Sequence, residues 1–586
     1  MTASGPLALR RYNAFLMLVA GLGGLLYGID VGIIGSAYPY LEATSHLSPD
    51  RLSDIVAAVL LGSVFSTLFA GLLADWMGRK RLMILSGVIF SLSIPIIALA
   101  PGFNALLAGR LLQGISGGLI GIVVPLYLAE CLGASNRGKG TGAFQWLLTL
   151  GIVAAALIGV YFSYRVAEVA RTASADTLFQ FKNYAWRSIF WVSLPPGLLF
   201  VIGALFVAES PRWLFRKGQV EQARAALLHS RTPEQAEREL EEMAQVAHAA
   251  QHAGTKATDS LLRRKYVIPF LLACSILFLN QGTGINSIIG YNTGILLQSG
   301  LSDVAAHWGY VLFTSFNFLL TMVGMQLVDR SGRRFLVLLG TGGIVVSLLG
   351  VGVLFLNSEK HTVDATAAVQ AAVTSDQQLA LKFDRATAAR LLAGRTADVD
   401  PGRAALTVIY AYGDFVAASN SVRSDDAGAA PIQIDRQECV PANRVEAIFK
   451  NPVANLDAAR SAPLRIQKAI VAAIPSARHG WLAATGLFCF IAFYAIGPGV
   501  VVWLALSELM PTRIRSNGMS IALVLNQLLA ATLAGIFLPF VGRWGYSAIF
   551  FLFAGFTIAY FLIALFFLPE TKGETLEEIE AHFEGR

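Results

Sequence analysis

The sequence "DRSGRR", residues 329–334, places four charged side chains in six positions of a chain in which only 14% of residues are charged. A related sequence, "DWMGRK", occupies residues 75–80. Each follows a long apolar run and has the pattern Asp-x-x-Gly-Arg. Because glycine permits tight turns and close helix packing, the pattern predicts charged turns at the ends of apolar helices that pack against one another.

The composition of the whole chain is that of an integral membrane protein. Of 586 residues, 55% are hydrophobic, and the mean hydropathy is +0.59. Twelve apolar runs reach the ~20 residues that a helix needs to cross a bilayer. They begin near residues 14, 55, 82, 104, 142, 187, 267, 308, 335, 481, 517 and 546. The first run is too long for a signal peptide and has no small-residue cleavage site, so we expect it to be retained as span 1.

The positions of basic residues predict the orientation of the spans. Clusters of Lys and Arg follow spans 2, 4, 8 and 10, whereas the short loops after spans 3 and 7 contain neither residue type. Because basic residues concentrate in cytoplasmic loops, we expect a multi-pass protein of the plasma (inner) membrane with both termini in the cytoplasm. The formal net charge of +7 therefore reports topology and does not indicate a nucleic-acid partner.

Three charged signatures occur twice in the same order, which indicates an internal repeat. The pairs are Asp75-x-x-Gly78-Arg79 with Asp329-x-x-Gly332-Arg333, Glu130 and Arg137 with Glu508 and Arg515, and "ESPR" at 209–212 with "ETKG" at 570–573. Successive pairs are 254, 378 and 361 residues apart. The chain is therefore predicted to contain two six-span halves, with about 124 extra residues in the second half and about 17 in the first.

The unequal spacings locate two insertions on the predicted outer side, at 357–479 between spans 9 and 10 and at about 163–186. In the larger one, "TAAVQAAVTSDQQLALKF" has a helical composition and "ALTVIYAYGDFV" is typical of strands, so a small folded domain and a partly disordered loop are both open. The other predicted domains are an N-terminal bundle at 1–210, a cytoplasmic helical linker at 211–265, a C-terminal bundle at 266–356 and 480–570, and a cytoplasmic tail at 571–586.

The repeated charges all fall on the predicted cytoplasmic side and have complementary signs. We expect ion pairs among them to latch the two halves in one conformation and to break in the other. The alternative is that they only anchor helix ends at the membrane interface, but the doubled Asp-x-x-Gly-Arg and Glu-x6-Arg spacings favour the latch. The predicted gate residues are Asp75, Arg79, Glu130, Arg137, Glu209, Arg212, Asp329, Arg333, Glu508, Arg515 and Glu570.

Several motifs, taken in order, resemble those of the sugar porter branch of the major facilitator superfamily, which contains bacterial sugar/proton symporters and animal glucose facilitators. They are "GLLADWMGRKRL", "GRLLQGISGGLIGIVVPLYLAE", "ESPRWL", "NQGTGINSIIGYN", "VDRSGRR", "GPGVVVWLALSELMP" and "PETKG". The resemblance covers nearly the whole chain apart from the two insertions. It implies an all-α membrane protein of twelve helices in two bundles, with a central sugar site open alternately to either side.

Amide side chains within spans are candidates for that site, because polar groups at membrane depth are costly and amides both donate and accept hydrogen bonds, as sugar hydroxyls require. The alternative to sugar binding is that these amides only form hydrogen bonds between helices. For Trp503, which is also a candidate, the alternative is packing in the core. Gly282 and Gly284 weaken span 7 beside three of these amides. The resemblance implies sugar contacts from Gln145, Asn280, Gln281, Asn286, Asn317, Trp503 and Asn526.

Two departures from the family pattern concern the size of the pocket. Gly290 replaces a frequent aromatic gate, which leaves Tyr291 as the predicted lid, and Gln527 replaces a usual Trp. In addition, the Asn280 side chain is shorter than that of the Gln that the family has at this position. We therefore expect a roomier and more polar pocket than in glucose-type members.

Asp30 in "YGIDVGIIG" is the only acid inside predicted span 1, and a carboxylate at that depth must be protonated or paired with a cation. Arg110, which opens span 4, is the predicted partner. Motion that separates the two would favour proton uptake, and a fixed buried ion pair is the alternative. The resemblance points the same way, because proton-coupled members have Asp at the matching position.

The expected function is secondary active transport of a monosaccharide by sugar/proton symport. A facilitative uniporter for a sugar or polyol and a sensor that binds sugar without transport are the alternatives. An enzyme is disfavoured, since the larger insertion contains no catalytic triad or metal-ligand spacing. We expect a monomer in the lipid bilayer with no cofactor, metal or nucleic acid.

Overall fold

The computed structural model describes residues 6–132, 134–253, 264–393, 399–426, 429–510 and 515–572. Within these ranges, the side chains at 6–8, 134–141, 246–253, 265, 329, 445, 448–449, 503–507 and 515–517 are outside the description. The predicted gate residues Arg137, Asp329 and Arg515 and the predicted sugar contact Trp503 are among them, so their side-chain contacts are not discussed.

The membrane part of the chain is helical, as predicted. Eleven helical segments of the described ranges are long and apolar enough to span a membrane. The last, Gly518–Phe567, is two spans joined at Gly545, where φ is +87° and the helix is interrupted, so the twelve predicted spans are confirmed. The helices of the first half are α1 (Pro6–Thr44), α2 (Pro49–Met77), α3 (Arg79–Ala98), α4 (Phe103–Cys131), α5 (Ala134–Thr172), α6 (Ala175–Trp191) and α7 (Leu194–Phe206).

The second half repeats this order with more interruptions. Its helices are α11 (Arg264–Gly282), α12 (Ile285–Gly290), α13 (Asn292–Gln298), α14 (Asp303–Ser331), α15 (Arg333–Glu359), α21 (Ala477–Ile496), α22 (Pro498–Leu509) and α23 (Arg515–Phe567). Span 7 is broken between α11 and α12, as its glycines predict. Gly284 has φ +80°, and a β-carbon there would lie 2.3 Å from the Phe553 ring, so both its conformation and its packing require glycine.

The smaller insertion consists of extended helices and not of an added loop. Helix α5 continues to Thr172, and α6 begins at Ala175 after Ser174, whose hydroxyl accepts a hydrogen bond from Thr177 N at 3.3 Å. The extra residues expected at about 163–186 lie in the end of α5 and the start of α6. No glycine or proline interrupts residues 163–186, which is why both helices continue beyond the membrane-spanning length.

Three helices connect the halves, namely α8 (Pro211–Arg216), α9 (Val220–Leu228) and α10 (Pro233–Ala253). Thr232 and Gln235 form the capping box expected at the start of α10. Thr232 N donates to Gln235 Oε1 at 3.3 Å, and Gln235 N donates to Thr232 Oγ1 at 3.4 Å. We call the end of the molecule that carries these helices the linker side.

The larger insertion is a folded domain with its own hydrophobic core. Its elements are β1 (Thr362–Asp364), α16 (Thr366–Gln370), β2 (Leu379–Leu381), α17 (Arg385–Leu392), a 3₁₀ turn (Pro401–Arg403), β3 (Ala404–Tyr412), β4 (Phe415–Ala418), β5 (Val422–Arg423), β6 (Ile432–Ile434), α18 (Arg436–Cys439), α19 (Arg444–Lys450), α20 (Leu456–Ser461) and β7 (Leu464–Ala473). The main sheet has the antiparallel order β1-β7-β3-β4, with β5 also paired to β3, and β2 pairs with β6.

The prediction of strands in "ALTVIYAYGDFV" is confirmed by β3 and β4. The helical prediction for "TAAVQAAVTSDQQLALKF" is correct only for its first residues, which form α16. Gln377 then adopts φ +60° in a turn, and β2 follows because its residues pair with β6. Since β1 pairs directly with β7, the domain leaves and rejoins the membrane helices at adjacent points. We call this end of the molecule the insertion side.

Candidate transport site

Four of the predicted sugar contacts lie together in the second half, on the broken span 7 and on α23. Asn286 Nδ2 donates to Gln281 Oε1 at 2.8 Å, and Gln281 Nε2 donates to Asn526 Oδ1 at 3.1 Å. Asn526 Nδ2 in turn donates to the Leu277 carbonyl at 2.8 Å. Asn280, on the same turn as Gln281, donates to the Tyr494 hydroxyl at 3.3 Å. Asn286, Gln281 and Asn526 thus form a continuous hydrogen-bond network, which we call the amide network, and Asn280 lies beside it.

Two other predicted contacts are less constrained. Gln145 on α5 and Asn317 on α14 are half-buried, and neither side chain makes a hydrogen bond to the residues that the structure describes. Their helices pack together, because the Trp146 ring lies 5.6 Å from that of Phe318. Gln527 has a buried Oε1 atom without a hydrogen-bond partner among the described residues. Gln145 and Asn317 could therefore bind a ligand without first breaking a protein hydrogen bond.

Tyr291, the predicted lid, closes the space between the halves on the insertion side. Its ring stacks on Phe537 with centroids 4.4 Å apart and meets the edge of Tyr38 at 5.3 Å. Its hydroxyl donates to the Ala534 carbonyl at 3.0 Å and lies 3.3 Å from Ser53 Oγ. Because Ser53 and Tyr38 belong to the first half and Phe537 to the second, the ring joins both halves.

Further contacts between the halves lie on the same side. The Tyr310 hydroxyl donates to the Gly32 carbonyl at 2.8 Å, and that of Tyr40 donates to Asp303 Oδ2 at 2.9 Å. A β-carbon at Gly35 would lie only 2.7 Å from the Ile289 carbonyl, so the two helices touch through the glycine backbone. The halves are thus tightly closed on the insertion side.

The predicted coupling pair is buried between α1 and α4. Asp30 and Arg110 are both 1% exposed, but Arg110 Nη1 lies 3.9 Å from Asp30 Oδ1, too far for a hydrogen bond. The same nitrogen donates instead to Gln113 Oε1 at 2.6 Å. Neither Asp30 oxygen has a hydrogen-bond partner among the described residues. The involvement of Gln113 was not anticipated from the sequence, although its i+3 spacing from Arg110 could have indicated it.

On the linker side, the first half contains a buried charge cluster around Arg79. Its guanidinium is bidentate to Glu130, with Nε to Oε2 at 2.8 Å and Nη2 to Oε1 at 2.9 Å. It also contacts Asp75 Oδ1 at 3.0 Å. Arg216 lies 3.4 Å from Asp75 and 3.5 Å from Glu130, whereas the predicted Arg212 is exposed and forms no ion pair with the described residues. Arg216 therefore takes the place expected for Arg212, one helical turn later.

The second half repeats the cluster around Arg333. Arg333 Nη2 lies 3.1 Å from Glu508 Oε1. The third repeated signature begins with Glu209 in the first half and with Glu570 in the second, and the structure shows a role for these glutamates that the sequence did not reveal. Glu209 accepts hydrogen bonds from the backbone N–H groups of Arg79 and Lys80, and Glu570 accepts them from Arg333 and Arg334, all between 2.8 and 3.1 Å. Each glutamate thus caps the helix that begins after the Asp-x-x-Gly turn.

The contacts of Arg79, Glu130 and Arg333 given above each join residues of the same half. The contacts between the halves given above lie on the insertion side. The latch between the halves stays a prediction, because the side chains of Arg137, Asp329 and Arg515 lie outside the described residues. The turns at Gly78 (φ +97°) and Gly332 (φ +86°) are as predicted.

Two six-span halves that meet tightly on the insertion side, with a buried acid in the helices of one and a cluster of amides in the helices of the other, have the architecture of a transporter of the major facilitator fold. The sequence matches the family described as "Sugar (and other) transporter" at residues 16–374 and 465–583. The chain therefore belongs to this family. The match omits residues 375–464, which are most of the larger insertion.

Two curated relatives of stated function match almost the whole chain, and a third matches more than half of it. The human proton myo-inositol cotransporter is 27% identical over 98% of this chain and 82% of its own length. The glucose transporter GlcP of Staphylococcus epidermidis is 24% identical over 98% of both chains. The galactose-proton symporter of Escherichia coli is 28% identical over 58% of this chain and 70% of its own.

Solved structures have the same fold at lower sequence identity. The inward-open conformation of the xylose transporter XylE from E. coli has a TM-score of 0.63 and 20% identity, covering 97% of this chain and 98% of that one. The proton:xylose symporter XylE bound to 6-bromo-6-deoxy-D-glucose has a TM-score of 0.60 and 20% identity, covering 98% and 99%. The chain is thus a multi-pass sugar-family transporter and not an enzyme.

Proposed function

We propose that this transporter couples uptake of a neutral monosaccharide or polyol to proton entry by alternating access. The observation that carries the proposal is the state of Asp30, which is buried and 3.9 Å from Arg110 without a hydrogen bond. An ionised carboxylate left in that condition would be very unfavourable, whereas a protonated one is tolerated. Asp30 therefore carries a proton in this conformation and can release it when Arg110 approaches.

The sugar site consists of the amide network on α11, α12 and α23, with Gln145 and Asn317 facing it from α5 and α14. In the present conformation Gln281 bonds to both Asn286 and Asn526. Sugar hydroxyls can take over these bonds, because they donate and accept as amides do. The named substrates of the relatives, which include myo-inositol, glucose and galactose, are all neutral polyhydroxy compounds and support this class.

The linker side would face the cytoplasm, which makes this the inward-facing state. In the opposite state we expect the two charge clusters to approach one another while the insertion side separates. The basic loops after even-numbered spans support this orientation. The insertion domain would then lie outside the cell membrane, and both termini inside.

Asp30→Asn in proteoliposomes tests the coupling. The amide keeps the shape of the side chain but cannot titrate, so we expect uphill accumulation of labelled sugar to be lost while sugar exchange continues. At 100 mV, one proton supplies ~2.3 kcal/mol, or about fifty-fold accumulation in the native protein. Asp54→Asn, an exposed aspartate on α2, is the matched control. Full accumulation by Asp30→Asn would refute symport, and binding without any exchange in the native protein would indicate a sensor.

Labelling of Val453→Cys tests the orientation. Val453 is 91% exposed on the insertion domain, so a membrane-impermeant thiol reagent should modify it in intact cells. Cys489→Ser removes the exposed native cysteine. Cys439, in the same domain, is buried, and burial raises the pKa of its thiol to about 11, so it should remain unmodified. Modification of Val453→Cys only after permeabilisation would reverse the assignment.

A further inference from the structure

A cavity of about 380 Å³ lies on the insertion side, between the ends of both halves and the insertion domain. It is separate from the amide network. Its volume is near the lower end of the roughly 300–1,000 Å³ typical of ligand pockets, and it suits a compound the size of a monosaccharide. Three parts of the chain that are distant in sequence contribute to its walls, with Tyr38 and Glu42 from α1, Leu297 from α13, and Asn420 and Arg423 from the insertion domain.

The insertion domain forms the roof of this cavity and is attached to both halves. Three ion pairs connect it to the first half. They are Arg51 with Glu438 at 2.7 Å, Asp50 with Lys450 at 2.8 Å, and Lys182 with Asp426 at 2.6 Å. Towards the second half, Arg423 donates to the Leu297 carbonyl at 2.8 Å. The roof is thus held in position over the space where the two halves meet.

The floor of the cavity is aromatic. Tyr38 and Tyr546 line it, and Tyr291 and Phe537 lie directly behind them. Tyr291 immediately follows α12, which carries Asn286 five residues earlier, about 7.5 Å along a helix at 1.5 Å per residue. The cavity and the amide network therefore lie one behind the other on a single path, separated by the Tyr291 ring.

The polar groups of the cavity suit a neutral polyhydroxy ligand. Asn420 Nδ2 is held by the Leu47 carbonyl at 2.9 Å, while its Oδ1 is buried and has no hydrogen-bond donor among the described residues. Glu42 is half-buried and forms no ion pair with the described residues. An amide oxygen and a carboxylate beside tyrosine rings can accept hydrogen bonds from hydroxyls while the rings pack on the sugar face.

The cations of the cavity argue against an anionic ligand. Lys182 contacts both oxygens of Asp426, at 2.6 and 2.8 Å. Arg423 is bidentate to Asp425, at 2.9 and 2.7 Å. Each of these two positive charges is thus already neutralised by an aspartate.

We propose that the outer cavity, which consists of Tyr38, Glu42, Asn420 and Tyr546 under the insertion domain, is a second binding site for the transported sugar or polyol. A molecule held there would wait behind Tyr291 while the central site is open to the linker side. When the insertion side separates, it would move past Tyr291 to the amide network. The ligand class rests on the proposed function, and the presence of the site rests on the cavity itself.

Binding stoichiometry of the purified full-length protein tests the proposal, with myo-inositol, D-glucose, D-galactose and D-xylose as probes. We expect two molecules of one probe per chain. Asn420→Ala and, independently, Glu42→Gln should weaken one binding event about tenfold and leave the other unchanged. Gln281→Ala should weaken the other event. Glu42→Gln keeps the number of heavy atoms in the side chain, so it tests the site even where Asn420→Ala disturbs the contact with Leu47.

A position-specific measurement accompanies the stoichiometry. In the Cys489→Ser background, Ser421→Cys places a thiol in the cavity wall, and Val453→Cys places one on the exposed face of the same domain. The bound probe should slow modification of Ser421→Cys by a small thiosulfonate reagent, also in the Gln281→Ala variant, and should not affect Val453→Cys.

The outcomes separate this proposal from the proposed function. The native protein could show a single binding event that Gln281→Ala weakens and Asn420→Ala leaves intact, with no slowing of thiol modification at position 421. That result would overturn the outer site and leave the proposed transport function standing. One event with the reverse pattern supports the outer site and overturns the central assignment. Failure of all four probes to bind the native protein overturns both.

Discussion

The two halves carry the same charge cluster, but its surroundings differ. In the first half, Arg79 is 2% exposed and Glu130 is 9% exposed, and they form two hydrogen bonds. In the second half, Arg333 is 12% exposed and Glu508 is 19% exposed, with 3.1 Å between the nearest charged atoms. Because water screens charges and competes for their hydrogen bonds, the first cluster should hold its helices more strongly. The repeated sequence motif therefore does not imply that the two clusters stabilise their halves equally.

The halves also differ in their central side chains. The first half supplies the buried pair of Asp30 and Arg110, whereas the second half supplies the amide network around Gln281. The second half also has the interrupted helix at Gly284, between Gln281 and Asn286. This division separates the proposed proton-carrying residue from the proposed sugar-binding residues, so each can be altered without removing the other.

The largest effect should come from the buried cluster. Arg79→Ala removes the bidentate partner of the buried Glu130, which keeps Ser210 Oγ and Arg216, at 3.5 Å, and we expect a loss of about 3–5 kcal/mol in the free energy of unfolding. Arg333→Ala should cost only about 1–2 kcal/mol, because its partner is more accessible to water. Denaturant unfolding in detergent measures both. Arg81→Ala, an exposed arginine of the same turn, is the control and should be nearly neutral. Equal losses for Arg79→Ala and Arg333→Ala would contradict the asymmetry.

For the amides proposed to bind sugar, we expect the larger mutational effect in the second half. Gln281→Ala removes the residue that bonds to both Asn286 and Asn526, and we expect central-site affinity to fall by about 1–3 kcal/mol. Gln145→Ala, in the first half, removes one side chain without a protein partner among the described residues and should cost about 0.5–1.5 kcal/mol. Isothermal titration with the best probe sugar compares them. A larger loss for Gln145→Ala would place the binding energy in the first half.

The closure between the halves should be weakened slightly by Tyr291→Phe. The variant keeps the ring stack on Phe537 but loses the hydroxyl contacts, worth about 0.5–1.5 kcal/mol, so the insertion side should open up to about tenfold more often. Distances between spin labels at Thr177 and Arg478 report this change. Tyr127→Phe removes a hydroxyl bond to the Ala208 carbonyl within one half, and it should leave the distances unchanged. No shift with Tyr291→Phe would show that its hydroxyl does not stabilise closure.

Removal of the insertion domain, which only the second half has, should have the smallest effect on the central site. Because β1 pairs with β7, a short Gly/Ser linker can join the two ends at little entropic cost. No residue of the amide network lies in the domain, so central-site affinity should stay within about twofold, while the second binding event is lost. Isothermal titration of the linker variant with sugar measures both the central-site affinity and the number of binding events. A folded linker variant that binds no sugar would place part of the central site in the insertion.

The sequence was a good guide wherever the determining interactions are local. Gly78 and Gly332 required positive φ, and the strand pattern of "ALTVIYAYGDFV" appeared as β3 and β4. It failed where a distant partner decides the structure. The segment after α16 became β2 because β6 lies beside it, and Arg216 displaced Arg212 in the charge cluster because helix rotation brings it to Asp75 and Glu130.

By itself, the sequence determined the twelve spans, the repeated halves, the family and the burial of Asp30 near Arg110. These follow from hydrophobic length, from charge spacing and from the cost of a charge at membrane depth, all of which act on one segment or one pair. Only the tertiary structure showed that the halves meet on the insertion side and that the insertion domain covers an outer cavity. Those features depend on contacts between residues up to several hundred positions apart, and on which of two balanced conformations the packed halves adopt.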